Sequence, residues 1–254
     1  MKNFFPLILG ILLLIAHERA GAQYIAEVLE YKPAPGQFIN AAPWGTPHSA
    51  QSIIGGVEGT LSLGAFGGYV VFRFEDVVEN DPENPYGVDF TIFGNAMQGL
   101  SEPGIVYVMN DKNQNGLADD TWYELAGSDH YFSNSLSQYE VNYINPHQHV
   151  ATDIPWTDNQ GNDGFIFANN THTQPYYPTH DSFSFIDPDQ YILAGSKIEL
   201  PKDTTQLGIT KFMQRSFGYA DNQIIGSAPY PIPDNPSTNK KENSGGDPFD
   251  INWA

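Results

Sequence analysis

The stretch Asp111-Lys-Asn-Gln-Asn-Gly-Leu-Ala-Asp-Asp-Thr-Trp-Tyr-Glu124 sets oxygen-bearing side chains at Asp111, Asn113, Asn115, Asp119 and Asp120 around Gly116. A hard divalent cation takes six to eight oxygens at roughly 2.3–2.6 Å, and donors at positions 1, 3 and 5 followed by a turn glycine curl the chain so that they converge. The pattern predicts a calcium loop, with Asp119 or Asp120 closing the shell and the Leu117 carbonyl as a further donor. It is not an EF-hand, because position 12 is Trp122 and the next carboxylate is Glu124. The alternative is a polar hairpin turn of the Asn-Gly type.

Other constellations are less specific. Asp158-Asn-Gln-Gly-Asn-Asp-Gly164 gathers acids and amides without a calcium template, so a solvated turn competes with a second cation site. The acids of Glu79–Asp89 match a template less well still. His147 and His149 form an H-x-H pair that on a strand would aim both rings to one face, suited to zinc or copper. Pro146 before them favours a plain loop instead. The run Asn170-Thr-His-Thr-Gln-Pro-Tyr-Tyr-Pro178 offers His172, Gln174, Tyr176 and Tyr177, with Trp156, as a ligand-recognition surface, since rings braced by prolines can stack on a flat ligand at little entropic cost. Packing of the same tyrosines in the core is the competing reading. A nucleophile elbow, an H-E-x-x-H zinc helix, a P-loop and a dinucleotide fingerprint are all missing from the sequence.

The elements that must hold these groups read as strands. Helical periodicity is nearly lacking, while short β-branched and aromatic runs alternate with Gly, Pro, Asn and Asp. Expected strands are Ile25–Tyr31, Thr60–Ala65, Tyr69–Phe74, Val88–Phe93, Ile105–Met109, Trp122–Leu125, Tyr139–Tyr143, Phe165–Phe167, Lys197–Leu200 and Gly208–Phe217. The predicted fold is all-β, a β-sandwich of jelly-roll type with long loops at 75–87, 145–164 and 169–184. Residues 224–247, rich in Pro, Asn and Ser, read as an exposed loop before a short apolar tail, Phe249–Trp253.

The N-terminus has Lys2, an apolar run over 4–16 and Ala20-Gly21-Ala22, the form of a signal peptide over residues 1–22. That run is short of the ~20 residues of a bilayer span, so no membrane span is expected in the mature form. With no cysteine, neither a lipid-bearing cysteine nor a disulfide is available. The expected location is secreted, in the periplasm or at the surface of a Gram-negative bacterium, with 23–254 forming one domain. The 254-residue chain carries 11 basic and 30 acidic residues, a formal charge of -19, which repels nucleic acid and argues against it as a partner. It also strains the compact state, a strain that bound cations would relieve.

Several stretches, in order along the chain, resemble a family of secreted or cell-surface Bacteroidetes proteins with a calcium-associated jelly-roll domain. They are residues 33–40, 64–71, Val88-Asp-Phe-Thr-Ile-Phe-Gly-Asn95, Ser101-Glu-Pro103, Asp119-Asp-Thr-Trp-Tyr-Glu-Leu-Ala-Gly-Ser128, Ser216-Phe-Gly-Tyr-Ala-Asp-Asn222 and Gly246-Asp-Pro-Phe-Asp250. The pattern is also distantly similar to galactose-binding-like domains. Some relatives are encoded beside corrinoid uptake systems. The resemblance implies a binding or surface protein and does not fix the ligand; the expected function is a non-catalytic binding protein that takes a small ligand, a corrinoid or a glycan, on its loops, with an outer-membrane protein as partner. Relatives continue past the position of Asp-Ile-Asn-Trp-Ala254 into another strand, so the resemblance implies a jelly roll lacking a C-terminal strand. A carbohydrate-active enzyme working through loop carboxylates and a structural adhesion module are the alternative functions.

Overall fold

The computed structural model describes residues 23–179, 181–200, 202–203, 205, 211–224 and 245–254. The expected signal segment, most of the 224–247 loop and the start of the expected strand Gly208–Phe217 therefore lie outside the described residues. The described strands are β1 (Ile25–Lys32), β2 (Tyr69–Phe74), β3 (Phe90–Phe93), β4 (Tyr107–Met109), β5 (Trp122–Glu124), β6 (Ser135–Ile144), β7 (Ile154–Asp158), β8 (Asp163–Ile166), β9 (Gln190–Ile198), β10 (Lys202–Asp203), β11 (Lys211–Phe212) and β12 (Gly246–Phe249). One helical turn, α1 (Pro47–Ala50), is capped by Thr46 and Ser49, each bonding the other's backbone N–H. The protein is all-β, and its named strand pairs are all antiparallel.

The largest sheet runs β8-β7-β6-β9, and the other strands pair as β1-β2, β4-β5, β10-β11 and β12-β3. In β6 and β9 the period of two is clean: Tyr139, Val141, Tyr143, Tyr191 and Leu193 are buried, while Glu140, Ile144 and Ile192 face out. That inner face, with Tyr31, Ile39, Ile154, Phe183 and Ile186, forms the first core. Its buried phenols are paired: the hydroxyl of Tyr143 donates to the Phe66 carbonyl and that of Tyr191 to the Pro33 carbonyl. Large rings can thus be buried without orphaned donors. A second core gathers Phe90, Leu125 and Phe249, with Val106, Val108 and Trp253 against them.

Several expectations change: the strand expected at Lys197–Leu200 is the end of β9, and the one expected at Phe165–Phe167 is β8, which starts two residues earlier. Thr60–Ala65 is not a strand. Its Gly64 has φ 78, and a Cβ there would lie 2.0 Å from the Ala34 carbonyl oxygen, so the segment is pressed as coil against residues 34–36. The expected 145–164 connection contains β7 and the turn into β8. Pro155 obscures β7, yet pairing with β6 stops at Trp156, so Pro155 interrupts no bond on that side. The 224–247 loop is shortened at its end, because Gly246 and Asp247 belong to β12, which pairs with β3. Finally, the apolar tail is core: Phe249 is fully buried and stacks on Phe90 at 5.1 Å.

Candidate metal loop and aromatic surface

The hairpin β4-β5 pairs Tyr107 with Glu124 and Met109 with Trp122, and residues 110–121 form its tip. Val106, Val108 and Leu125 fasten the hairpin to the second core. Glu124 fastens it to β9. Its Oε2 accepts from the Tyr107 hydroxyl at 2.8 Å and from Ser196 Oγ at 2.5 Å, and its Oε1 lies 3.6 Å from His130 Nδ1.

Within the tip, the Asp111 carboxylate accepts from the backbone N–H of Asn115 at 3.1 Å and of Gly116 at 2.8 Å. Asn113 Oδ1 accepts from Asn115 N at 3.0 Å, and Asn115 Oδ1 from Leu117 N at 2.8 Å. These bonds wind the chain through Gln114 and Gly116, both at positive φ. A Cβ at Gly116 would meet nothing within 4 Å, so its glycine answers to backbone conformation and not to crowding. The turn carries Asn113 and Asn115 to Asp119, whose two carboxylate oxygens accept from Asn113 Nδ2 at 3.4 Å and Asn115 Nδ2 at 3.0 Å.

Asp111, Asn113, Asn115 and Asp119 are thus one connected cluster. Asp120 lies at the neck, where it accepts from Lys112 N at 3.0 Å, and Leu117 exposes its side chain at the tip. Among the described residues no group of three His, Cys, Asp or Glu side chains is drawn up to hold a metal. The donor set here is mixed, two carboxylates with two amides, and the amides currently face Asp119 through nitrogen. The amide oxygens of Asn113 and Asn115 are held by backbone N–H groups, and an oxygen that accepts one N–H keeps a second lone pair for a cation. The chemistry suits calcium, which takes carboxylate and amide oxygens alike.

The Asp158 segment is a turn. Asp158 Oδ1 accepts from Gln160 N and Asn162 N, and Oδ2 from Asn162 Nδ2 and the Tyr139 hydroxyl. Although burial pushes its carboxyl up, the bonds from Asn162, Tyr139 and Gln160 outweigh this and hold it below the usual range. Asp89 caps its own loop through Asp81 N and Asn84 Nδ2, and reaches Ile251 N near the C-terminus. His147 and His149 lie on no strand, and His147 faces Asp189 at 3.3 Å.

The proposed recognition surface over 170–178 is corrected. Tyr176 and Tyr177 are 1% and 3% exposed and belong to the first core. Tyr176 accepts from Asn169 N, and Tyr177 donates to the Asp187 carbonyl. With every phenol paired, burial of the rings prevails over exposure. Gln174 is also committed, donating to the carbonyls of Gln37 and Ile39. Trp156 packs inward across Gly164, where a Cβ would meet the indole at 2.8 Å. Of the five residues, His172 alone joins a surface cluster: its ring meets Phe38 edge-on at 4.7 Å, and Phe38 meets Trp44 at 5.3 Å. Trp44, which no motif marked, borders an open groove with Pro43, Ser52, Glu58, Gly59 and Thr60.

Sequence reasoning also missed the polar frame beneath the hairpin. Asp129, with no exposure, forms a two-pronged ion pair with Arg215, bonding Nε at 2.7 Å and Nη2 more closely. Burial pushes the Asp129 carboxyl up, but bonds from Arg215, Asn134 and Ser128 outweigh it and hold it low. Asp247 accepts from Asn222 N and Gln223 N, and Asp221 from Asn95 N. The stretches containing Asn95, Ser101, Ser128, Asn222 and Asp247, distant in sequence, are joined by these bonds and by Ser101 Oγ donating to the Asn222 carbonyl. An arginine in a chain with 11 basic residues among 30 acids was the available signal.

Compared with models of known protein families the chain matches none, and no curated protein matches it.

Proposed function

We propose that this protein is an exported, calcium-stabilised binding protein, without catalysis of its own, that captures a small ligand, a corrinoid or a glycan, on its loops at the surface of a Gram-negative bacterium. An outer-membrane protein would be its partner, and a sandwich of jelly-roll type its frame. The observation that carries the reading is the convergence of Asp111, Asn113, Asn115 and Asp119 at the tip of a hairpin anchored at both its core and its Glu124 face. Calcium there offsets part of a formal charge of -19 in a chain that no disulfide braces. Among the described residues no helix is long and apolar enough to cross a membrane.

Thermal melts with calcium and with excess chelator test the metal. Calcium at about 100 times its dissociation constant contributes about 2.7 kcal/mol, an expected rise in Tm of about 5–10 °C, and Asp111→Ala should erase it. A melt indifferent to the chelator would remove calcium from the reading. Calorimetry with cobalamins and a glycan panel tests capture, and absence of heat with every compound would overturn it.

A further inference from the structure

We propose that the groove beside Trp44 is a binding site for a single uncharged sugar ring, with the indole as its stacking face and Glu58 and Thr60 as partners for neighbouring hydroxyls. The proposal rests on the reading of the protein as a ligand-capture protein and specifies where it captures and what.

Trp44 is 39% exposed although Phe38 braces its ring edge-on. Its backbone is fixed at both ends: Trp44 N donates to the Ala41 carbonyl at 3.1 Å and its own carbonyl accepts from Ser62 N at 2.9 Å. An immobilised indole stacks on a flat apolar face with little further loss of freedom. The opposite wall is equally fixed. At Gly59 a Cβ would lie 2.1 Å from the Ser52 carbonyl oxygen, so only glycine lets the 58–60 run press against the 51–53 turn.

That wall brings Glu58 and Thr60 to the groove, and neither side chain has a hydrogen-bond or ion-pair partner among the described residues. Ser52 Oγ donates to the Ser49 carbonyl and so presents an acceptor. A ring with an apolar C–H face and vicinal hydroxyls satisfies both halves of the site. The groove's volume is about 210 Å3. Pockets for drug-sized ligands run to about 300–1,000 Å3, so this one takes a single small ring and is too small for a corrin macrocycle. Glu58 and the chain's formal charge of -19 turn away anionic sugars.

The test uses the mature protein with calcium, labelled with 15N, and follows the indole N–H signals of its 4 tryptophans. Methyl glycosides of glucose, galactose, mannose and N-acetylglucosamine are titrated to about 10 mM, above a dissociation constant of about 1 mM. Trp44→Phe assigns the signal. A saturable shift of the Trp44 indole is expected with at least one glycoside, weakened about fivefold by Glu58→Gln and by Thr60→Val. The signals of Trp122, Trp156 and Trp253 should stay put, which verifies that both variants are folded. No saturable Trp44 shift in folded protein, or one that keeps full affinity in both variants, overturns the proposal. Cyanocobalamin runs in parallel. Saturation by any probe at another tryptophan overturns the groove assignment but leaves ligand capture standing, a corrinoid response at Trp44 overturns the ligand class, and silence toward all probes overturns both readings.

Discussion

Two polar loops of similar length meet opposite fates. The 111–120 loop stays in solvent, and its carboxylates and amides bond to their own backbone and to one another. The 169–179 loop is drawn inward: Asn40 donates to the carbonyls of Pro175 and Tyr177, Gly36 N to the Tyr176 carbonyl, and Asn169 Nδ2 to Gln37. The difference lies in two rings. Tyr176 and Tyr177 bring apolar area worth burying and hydroxyls that find partners, whereas the first loop holds no ring and, apart from Leu117 and Ala118, mostly groups that are costly to dehydrate. A loop with little apolar content orders itself by local hydrogen bonds or by a cation; one with aromatics becomes part of the core.

The largest expected effect comes from removing a ring from the inward loop. Tyr176→Ala should cost about 3–5 kcal/mol in chemical denaturation, with or without calcium, and a loss under 1 kcal/mol would return this loop to the surface. Asp111→Ala should cost about 2.7 kcal/mol more in calcium at about 100 times its dissociation constant than in chelator, a dependence the inward loop does not share. Gly116→Ala isolates the backbone component, because the φ of 74 costs an L-residue about 1–2 kcal/mol while no atom crowds the site. Stability should fall by that amount in calcium and in chelator alike.

The smallest effect contrasts exposed carboxylates with a buried one. Asp247 is 2% exposed, and burial, with the charge of Asp221, pushes its carboxyl up to about 7 against the N–H donors of Asn222 and Gln223. The folded state keeps a proton that the unfolded chain releases near pH ~3.9. This contribution is complete below that pH and is lost as pH rises through about 7. Lowering pH from 8 to 6 should therefore raise stability by about 1 kcal/mol, and Asp247→Asn should flatten that slope without altering the calcium response. An unchanged slope in the variant would assign it to other groups.

Local pattern was enough to read much of this. Tyr69–Phe74 appears where it was expected, and Ile25–Tyr31 with one residue more, because runs of β-branched and aromatic residues mark strands locally. The Asp111 cluster was equally legible, since its donors and its turn glycine lie within ten positions and need no distant partner. Where Pro155 or Gly246 interrupted the pattern, β7 and β12 were hidden: a strand that borrows its bonds from a neighbour does not advertise itself. The ligand-surface residues were misplaced for a related reason, as polarity and rings in one segment describe a surface and a core equally well.

The sequence by itself determined the strand-forming periodicity, the acidic balance and the oxygen-rich loop, all set by residues close along the chain. Tertiary structure alone decided that Tyr176 and Tyr177 face inward, that Arg215 finds Asp129, and that Trp44 meets Glu58 and Thr60 across a groove. Those outcomes depend on which segments are brought together and which phenols and charges can be paired once water is removed, and that is a property of the packed whole.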